Sequence, residues 1–370
     1  MLKAAFLDVG QGDTTVVWNP HTREAVVIDC IDPVAVWDLL AHHKVDRVRA
    51  VVVTHLHMDH FAGLVTFLED SPDRGIDCDG VFFGWWGMDT RRSARLRNDA
   101  DGHSQVGDDS PTTADKRRRS QLRRLSDWVR KPSNRERYRA PQRLTELSVE
   151  GMEIEFLHPL EADIGDLLLS GRLNNLSVVV RLSSGGGARL LLTGDLEPYG
   201  WRTLRQNASD LTADVLKFPH HGAWKDITTE TNPADILEPV GPKVVIISVG
   251  TEGSKYDHPN GHVLDALAAR TDITTLCTQA TSKCCQDPMR CKPRVRAILS
   301  GPSASNRAAT CTVGCPCASS VVLALDLEPA IVRPDRATHR QIVNECFPSA
   351  RCNAHEDCIS GGPRRRSRPR

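Results

Sequence analysis

Short apolar runs rich in Val, Ile and Leu recur along the chain and are separated by turns of glycine, proline and polar residues. Runs this short and this rich in β-branched residues predict strands, because a helix of similar apolar content would be longer and would repeat every three to four positions. The predicted strands are 4–9, 14–18, 25–29, 50–53, 81–86, 152–157, 178–182, a hairpin partner that begins at Arg189, 214–218, 243–249, 274–278 and 319–326.

Helices are predicted between several of these strands. Asp32 is a side-chain cap for a helix that begins at Pro33, whose fixed φ suits a first turn. Another helix is amphipathic, with an apolar face and, elsewhere, a group of arginines that includes Arg118. The alternation of strands and helices predicts a layered α/β fold. The predicted helices are 33–44, one that begins at 61, 114–130 and one near 261–270.

The strand 50–53 runs directly into three histidines and an aspartate, which are His55, His57, Asp59 and His60. Imidazole nitrogens and carboxylate oxygens are ligands for zinc, manganese or iron. His55 and His57 alternate, so on an extended segment they point the same way and can share one metal. Asp59 and His60 follow a turn and can serve a second metal. Two metals about 3.5–4 Å apart are the arrangement that activates water for hydrolysis of phosphate esters and related substrates.

Ligand-type residues also follow three other predicted strands. Histidines scattered by chance would not favour strand ends, and strand ends meet at one edge of a sheet. A single site built from all of them is therefore the economical interpretation. The additional residues are Asp195, His220, His221 and His258.

The stretch from His55 to His60 matches the His-x-His-x-Asp-His signature of the metallo-β-lactamase superfamily. Other stretches resemble one branch of it, the soluble hydrolase domain of ComEC-type competence DNA-uptake proteins, in family order over about residues 1–275. The resemblance implies a four-layer αββα sandwich with the site along one edge of its two sheets. The matching stretches are 6–13 (FLDVGQGD), 174–177 (NNLS), 191–195 (LLTGD), 217–222 (KFPHHG) and 256–259 (YDHP).

The resemblance implies a dinuclear centre of zinc or manganese. His55 and His57 would bind the first metal. Many superfamily members have a further histidine ligand in the region of 174–177, and this chain has none there. The first site therefore has fewer protein ligands, or His220 or a water completes it.

The second implied metal is held by Asp59 and His60, with Asp195 bridging the two metals. His221 would complete this second site, with His220 as the second choice. In the expected mechanism a bridging water is hydroxide near neutral pH, and Asp59 orients it.

Other residues would support this chemistry. His258 or Lys217 would donate to the developing charge or protonate the leaving group. The structural alternatives are a turn histidine before Pro259 and a half-buried strand lysine. Asp29 is expected behind the ligands, where it would orient an imidazole. Asp8 and Asp13 lie in a glycine-framed turn that is expected near the site, with a purely structural role as the alternative.

The formal net charge is zero, with 47 Lys or Arg and 47 Asp or Glu, so the global charge does not point to nucleic acid. The segment 91–143 is different, with 16 Lys or Arg against 7 Asp or Glu. It is either a solvated helical layer over the core or a basic rim that attracts a polyanionic substrate such as nucleic acid. The basic tail from Pro363 is compatible with nucleic-acid binding and equally with docking to a protein.

Ten of the twelve cysteines lie between Cys277 and Cys358. In a reducing compartment such a dense group favours structural zinc, with disulfides or free thiols as the alternatives. The first group falls around a predicted insertion at 279–316, and the second could form a small zinc site of its own. The candidates are Cys277, Cys284, Cys285, Cys291, Cys311, Cys315 and Cys317, and then Cys346, Cys352, His355 and Cys358.

These features predict a hydrolase domain over 1–330 and a Cys/His-containing tail with a basic end over 331–370. No leader pattern and no run of about 18 apolar residues is present, so a cytoplasmic protein without membrane contact is expected. The predicted function is metal-dependent hydrolysis of phosphodiesters, DNA among them. The alternatives are hydrolysis of a small thioester, lactam or lactone, and a binding protein with a vestigial site. A redox di-iron centre is disfavoured, because that branch typically has Glu where His57 stands.

Overall fold

A computed structural model of the chain describes residues 2–84, 113–141, 146–169, 173–224, 232–250, 258–278, 321–325 and 329–332. Within these ranges the strands are β1 (Leu2–Phe6), β2 (Thr15–Asn19), β3 (Glu24–Ile28), β4 (Arg47–Val52), β5 (Asp77–Phe82), β6 (Tyr138–Arg139), β7 (Glu146–Val149), β8 (Met152–His158), β9 (Val179–Ser183), β10 (Arg189–Leu192), β11 (Val215–Lys217), β12 (Val244–Ile247), β13 (Thr274–Cys277), β14 (Val321–Leu325) and β15 (Pro329–Val332). The helices of the same ranges are α1 (Pro33–His42), α2 (Met58–Phe61), α3 (Leu64–Asp70), α4 (Thr113–Arg130), α5 (Pro132–Arg135), α6 (Ile164–Leu169), α7 (Pro198–Asn207), α8 (Ala234–Val240) and α9 (Gly261–Ala268).

The strands form two sheets. The first sheet has the order β15-β14-β1-β2-β3-β4-β5-β6, and the second has the order β13-β12-β11-β10-β9-β8-β7. Strands β3 to β5 run parallel to one another, and so do β10 to β13. In each parallel block the carboxyl ends of neighbouring strands therefore lie at the same edge of the sheet, which is where ligands bind in open α/β sheets.

The apolar side chains sort into three core clusters, as expected from the alternation of side chains along a strand. Between the sheets, residues such as Val52 of the first sheet and Leu190 of the second are fully buried together. Val51 points the other way and packs with the helices that cover the first sheet. Trp201 belongs to the third cluster, under the helices that cover the second sheet. The predicted mixed α/β architecture of two sheets flanked by helices is thus confirmed.

Local signals explain where several helices begin. The Asp32 carboxylate accepts hydrogen bonds from the amides of Val34 and Ala35, as predicted for a cap before Pro33. The helix predicted from residue 61 is instead two short helices, α2 and α3, which meet at Gly63. Helix α4 covers the first sheet through its apolar face, with Leu125 and Trp128 buried in that layer.

Strand β15 extends the first sheet beyond the strand predicted at 319–326 and crosses the boundary predicted at residue 330. The cysteine-rich segment 279–316, the tail from 333 and most of the polar first part of segment 91–143 lie outside the described residues. Among the helices that the structure describes, none is both long enough and apolar enough to cross a membrane.

Candidate metal centre

The two sheets approach each other closely where β4 and β10 end. The amide of Val178 donates to the Thr54 carbonyl at 2.8 Å, which ties the segment after β4 to the start of β9. Gly194 follows β10 with φ +54, and a Cβ at this position would lie 2.8 Å from Thr54 Cβ. Only glycine accommodates this conformation at this separation without strain. The chain after β10 can therefore carry Asp195 across to the histidines that follow β4.

Four side chains from both sheets converge around Asp195. Ligand atoms of Asp59, His60, Asp195 and His221 all lie within 4.8 Å of one another. His60 Nε2 lies 3.2 Å from Asp195 Oδ2, and His221 Nε2 lies 3.6 Å from Asp195 Oδ1 and 3.7 Å from Asp59 Oδ2. We call these four residues the second ligand group.

The atoms of the second ligand group fit a bound cation. His60 Nε2, His221 Nε2 and Asp195 Oδ1 are buried and have no hydrogen-bond partner within the described part of the chain. Buried polar atoms are normally satisfied, so such orphaned atoms facing one point indicate an absent partner. Nitrogen and oxygen ligands about 2.0–2.2 Å from zinc in a tetrahedral arrangement lie roughly 3.3 Å apart, close to the separations seen here.

A first ligand group lies around the same Asp195 carboxylate and consists of His55, His57 and His220, with Asp195 shared. His55 Nε2 is 3.0 Å from His57 Nδ1 and 4.0 Å from Asp195 Oδ2. His220 Nε2 is 3.8 Å from the same carboxylate oxygen. Asn174 Nδ2 lies 3.4 Å from His220 Nε2, so the polar stretch that lacks a histidine contacts this group. The geometry therefore favours His221 for the second group and His220 for the first.

His220 and His221 are adjacent in sequence but serve different groups because of an unusual turn. Both residues have positive φ, 50° and 53°, in the region that non-glycine residues rarely adopt. Each such residue costs on the order of 1–3 kcal/mol, and such strain is typically found at functional sites. The turn directs the two rings apart, and their centroids are 6.2 Å from each other.

Hydrogen bonds on the far side of each imidazole fix the rings of the second group. Asp29 Oδ2 lies 2.8 Å from His60 Nδ1, and Asp29 is itself held by the Thr54 amide at 2.7 Å. The Ser248 carbonyl oxygen lies 2.9 Å from His221 Nδ1. Both oxygens accept, so each Nδ1 carries a hydrogen and each Nε2 is the ring nitrogen that faces the centre.

Lys217 and Asp13 form an ion pair behind the second group. Both side chains are buried, and Lys217 Nζ also donates to the Gly194 carbonyl at 3.0 Å. Asp13 lies on the Nδ1 side of His221, at 3.7 Å, away from the ligand atoms. Lys217 is therefore placed where it positions Asp13 and the Gly194 turn, and not on the open side of the centre.

The glycine-framed turn at 6–13 reaches the site through backbone contacts. The Asp13 amide donates to the Asp59 carbonyl at 3.0 Å. Gly12 has φ +140, and a Cβ there would lie 2.4 Å from that carbonyl oxygen. Asp8 is buried in the same turn and accepts from the Gly10 amide at 3.4 Å. This turn supports the loop that carries Asp59.

The two ligand groups differ in protonation. Burial opposes the charged form of His60, but the Asp195 and Asp29 carboxylates outweigh burial and raise its pKa well above the usual range. The pKa of His221 is raised for the same kind of reason, by Asp195 and Asp13. Burial instead lowers the pKa of His55 well below its usual value. The second group therefore binds protons that a metal must displace, whereas His55 is neutral and ready to bind.

The centre opens to solvent on one side. The side chain of Asp59 is 38% exposed, whereas the other members of the second group are nearly inaccessible. Burial opposes ionisation of Asp59, but the nearby His221 and His60 rings outweigh burial and keep its pKa well below the ordinary value. His57 is also partly exposed, and burial together with the nearby charge of Arg118 lowers its pKa to about 4.

Other predicted site residues have varied surroundings. His258 is buried beside the histidine turn, with its ring 5.6 Å from that of His220. Cys277 is fully buried at the end of β13 within the apolar cluster under the second sheet. The other cysteines and the histidine proposed as structural zinc ligands lie outside the described residues.

Several supporting residues were not predicted from the sequence. Ser177 Oγ accepts from the Asp195 amide at 3.0 Å, and the Ser177 carbonyl lies 2.9 Å from His158 Nδ1. Glu197 Oε1 accepts from Asn174 at 3.1 Å and lies 3.7 Å from His220 Nδ1. Ser177 ends the NNLS stretch and Glu197 lies two positions after Asp195, so proximity to a motif was the available signal.

The sequence comparisons agree with this geometry. The model of the metallo-β-lactamase superfamily matches residues 7–111, which include the histidine cluster. Residues 7–111 thus match the metallo-β-lactamase superfamily, and the resemblance noted in the sequence is confirmed at this level.

Among curated proteins the chain is similar to members of the competence family. It is 38% identical to ComE operon protein 3 of Bacillus subtilis over 94 residues, which is 25% of this chain and 11% of that protein. It is 32% identical to competence protein ComA of Neisseria gonorrhoeae over 133 residues, which is 34% of this chain and 17% of that protein. The chain therefore matches a small part of each of these longer proteins.

Comparison with solved structures finds proteins that are similar to this chain at a low level. The metallo-β-lactamase fold protein YhfI of Bacillus subtilis has a TM-score of 0.33 and 13% identity, with 66% of this chain and 84% of that chain covered. A metallo-β-lactamase from Staphylococcus aureus has a TM-score of 0.30 and 14% identity, with 52% of this chain and 43% of that chain covered.

Proposed function

We propose that the protein is a metal-dependent hydrolase with a dinuclear zinc or manganese centre, and that it cleaves phosphodiester bonds, those of DNA among them. The observation that carries the proposal is the cluster of orphaned ligand atoms around Asp195, shared by two ligand groups. A buried cluster of this kind is costly unless cations occupy it, because unpaired buried polar atoms destabilise the fold.

In this proposal the first metal is held by His55, His57 and His220, and the second by the second ligand group, with Asp195 common to both. Metal ions in such a centre supply an activated water and positive charge that stabilises the developing anion. The chain's own residues orient the reaction. Asp59 is ionised and reaches solvent, so its carboxylate can accept a hydrogen bond from the attacking water and align it.

The remaining proposed roles follow from position. His258 lies beside the histidine turn, where it can donate to the leaving group. Lys217 holds a proton firmly, because the Asp13 and Asp195 carboxylates outweigh burial and raise its pKa. We therefore assign Lys217 to positioning Asp13 and the Gly194 turn, and leave proton donation to His258.

Charge supports a polyanionic substrate. Helix α4 carries seven Lys or Arg and two Asp, and most of its basic side chains are exposed. Phosphate backbones are attracted to such surfaces over a distance of about one Debye length. The basic tail would add to this attraction or dock a protein partner, and the cysteine-rich segments would bind structural zinc.

We place this activity in the cytoplasm. Cys30 and Cys78 are free thiols in the described part of the chain, a state that a reducing compartment maintains.

The proposal is tested with purified protein and an Asp59→Ala/His60→Ala variant, each loaded with zinc or manganese. Both are assayed on single- and double-stranded DNA, on bis-p-nitrophenyl phosphate and on nitrocefin. We expect phosphodiester cleavage by the wild type and loss of at least about a hundredfold in the variant, as is typical when a metal-centre residue is removed. Equal activity in both proteins contradicts catalysis at this centre, and activity confined to nitrocefin favours a small-molecule hydrolase.

Metal analysis separates the remaining alternative. Two metal ions lost from the variant, with no turnover of any substrate by the wild type, would indicate a binding protein. Further zinc that stays bound in the variant would support the structural zinc sites in the cysteine-rich segments.

A further inference from the structure

Helix α4 presents an apolar face that ends in an arginine. Leu122, Leu125 and Val129 recur at helical spacing and pack in the layer over the first sheet. One turn before Leu122 on the same face is Arg118, which is half-buried, whereas its neighbour Arg119 is exposed. The sequence pattern predicts that the arginines lie outside the apolar face of the helix, and for Arg118 this prediction is wrong. Its side chain continues the inward face toward the start of the helix.

Contacts between α4 and α3 indicate where the start of α4, which carries Arg118, lies. Arg124 Nη1 donates to Thr66 Oγ1 at 3.4 Å, and Lys131 Nζ, just after α4, lies 3.3 Å from Glu69 Oε1. Later residues of α4 thus meet later residues of α3, so the two helices run in the same direction. Arg118 lies about 9 Å before Arg124 along the helix axis. This distance brings Arg118 level with α2, which directly precedes α3 and carries part of the second ligand group.

The surroundings of the histidine loop agree with this position. Met58 and Leu122 both pack against the core cluster of the layer that covers the first sheet. The positive charge of Arg118 acts on the His57 ring. His57 and Asp59 are the partly exposed members of the two ligand groups on this loop. Arg118 therefore stands at the open side of the centre, beside the first ligand group.

We propose that Arg118 binds the substrate phosphate beside the first ligand group and thereby selects phosphodiesters over uncharged esters, lactams and lactones. The proposal rests on the proposed hydrolase function and specifies its substrate class. Two N–H groups of the guanidinium would donate to the two non-bridging oxygens of the phosphate. This planar fork matches phosphate geometry better than the point charge of a lysine does.

Electrostatics favour an anionic substrate beside this residue. Arg118 is a half-buried cation on the inward face of α4, and its charge would attract a phosphodiester where the substrate enters. An uncharged lactam or lactone would gain nothing from the charge of Arg118. The same residue would therefore account for the preference for phosphodiesters as well as for the affinity toward them.

The proposal is tested with Arg118→Gln, which removes the charge, and Arg118→Lys, which keeps the charge but loses the fork. The control is Arg205→Gln, an exposed arginine on α7, on the layer that covers the other sheet. Kinetics on bis-p-nitrophenyl phosphate, inhibition by inorganic phosphate and metal content are measured for each full-length chain. Binding of a fluorescein-labelled oligothymidine is measured by anisotropy in an Asp59→Ala background, so that cleavage does not interfere.

In Arg118→Gln we expect the KM for the diester, the inhibition constant of phosphate and the oligothymidine Kd each to rise about tenfold, the loss typical of a charged hydrogen bond. Metal content should stay at the wild-type level, because removing a positive charge near His57 does not weaken cation binding. Arg118→Lys should lie between Arg118→Gln and the wild type, and Arg205→Gln should change each value less than twofold.

Equal shifts in Arg118→Gln and Arg205→Gln would overturn the proposal, because net charge alone would then explain them. Loss of metal or of thermal stability in Arg118→Gln, with unchanged phosphate inhibition in the folded Arg118→Lys variant, would assign a structural role instead. If the wild type hydrolyses nothing, the proposed function fails, but the oligothymidine comparison still decides whether Arg118 binds phosphate.

Discussion

The buried ion pair of Lys217 and Asp13 lends itself to a quantitative test. Lys217→Met keeps most of the side-chain length and removes the ammonium, which leaves the Asp13 carboxylate without its cation. Asp195 lies 3.9 Å from the same ammonium and would lose that favourable charge as well. The perturbation therefore leaves two buried carboxylates near each other with fewer positive neighbours.

The expected size of the effect follows from the burial of the pair, because Lys217 and Asp13 have side chains only 3% and 5% exposed. Breaking a buried ion pair from one side typically costs about 3–5 kcal/mol, since the remaining charge is left uncompensated. At about 2 °C per kcal/mol, the lower end of the range for large domains, the melting temperature should fall by roughly 6–10 °C.

Thermal melts of the metal-free protein measure this loss of stability. Two further variants serve as its controls. Lys243→Met removes a pair with Asp214 at 3.3 Å in which the lysine is 46% exposed, and such surface pairs contribute about 0–1 kcal/mol. Lys217→Met/Asp13→Asn removes both charges and should recover a good part of the loss. The reasoning would be refuted if Lys217→Met melted within the shift of the Lys243 control, or if the double variant were no more stable than Lys217→Met.

The sign of the pH dependence is also defined. The folded-state pKa of Lys217 is raised above its ordinary value. The stabilisation from this group is therefore fully present at neutral pH and is lost as the pH rises through the folded-state pKa. A pH series of melts should show the gap between wild type and Lys217→Met closing only in the strongly alkaline range.

Three further predictions concern the ligand groups. Metal affinity of the second group should fall as the pH drops, because the raised pKa values of His60 and His221 mean that protons compete with the metal for their ring nitrogens. Calorimetry in buffers of different ionisation enthalpy would detect the released protons. A metal affinity that does not change with pH would contradict this prediction. Asp29→Asn should weaken metal binding about 10–100-fold, because it no longer fixes the His60 tautomer, with metal analysis after dialysis as the measurement. Gly194→Ala should destabilise the fold by about 1–3 kcal/mol and reduce bound metal, since its Cβ would lie 2.8 Å from Thr54; denaturant unfolding at wild-type stability would show that the turn adapts.

The sequence predicted that the candidate ligands lie close together, because each of them follows a strand. Apolar runs that end in His or Asp place these residues at a sheet edge, and parallel strands bring such ends together. Asp195 illustrates this, since the sequence indicated the strand before it and its place at the end of that strand. The sequence could not decide between His220 and His221, because that choice depends on two residues in a left-handed conformation that local propensity disfavours.

Other features depend on contacts between distant segments, which a pattern does not encode. Lys217 reads as a possible proton donor, but its environment is set by Asp13, about 200 positions away in sequence. Arg118 reads as one of a run of arginines, and its inward direction follows from the register of α4 on α3. Strand β15 was missed because Pro329 and its neighbours form a weak strand signal, and pairing with β14 determines its conformation.

The centre is assembled from both halves of the sandwich, with His60 from the segment after β4 and Asp195 and His221 from segments after β10 and β11. An ion bound there would add a link between the two sheets, beside their apolar packing and the ion pair of Lys217 and Asp13. The unfolded chain cannot hold the ion in the same way. Metal concentration thus enters the folding equilibrium directly, adding about 2.7 kcal/mol at a hundred times the Kd. A chelator would act as a mild denaturant, and the melting temperature of the protein would serve as a gauge of metal supply.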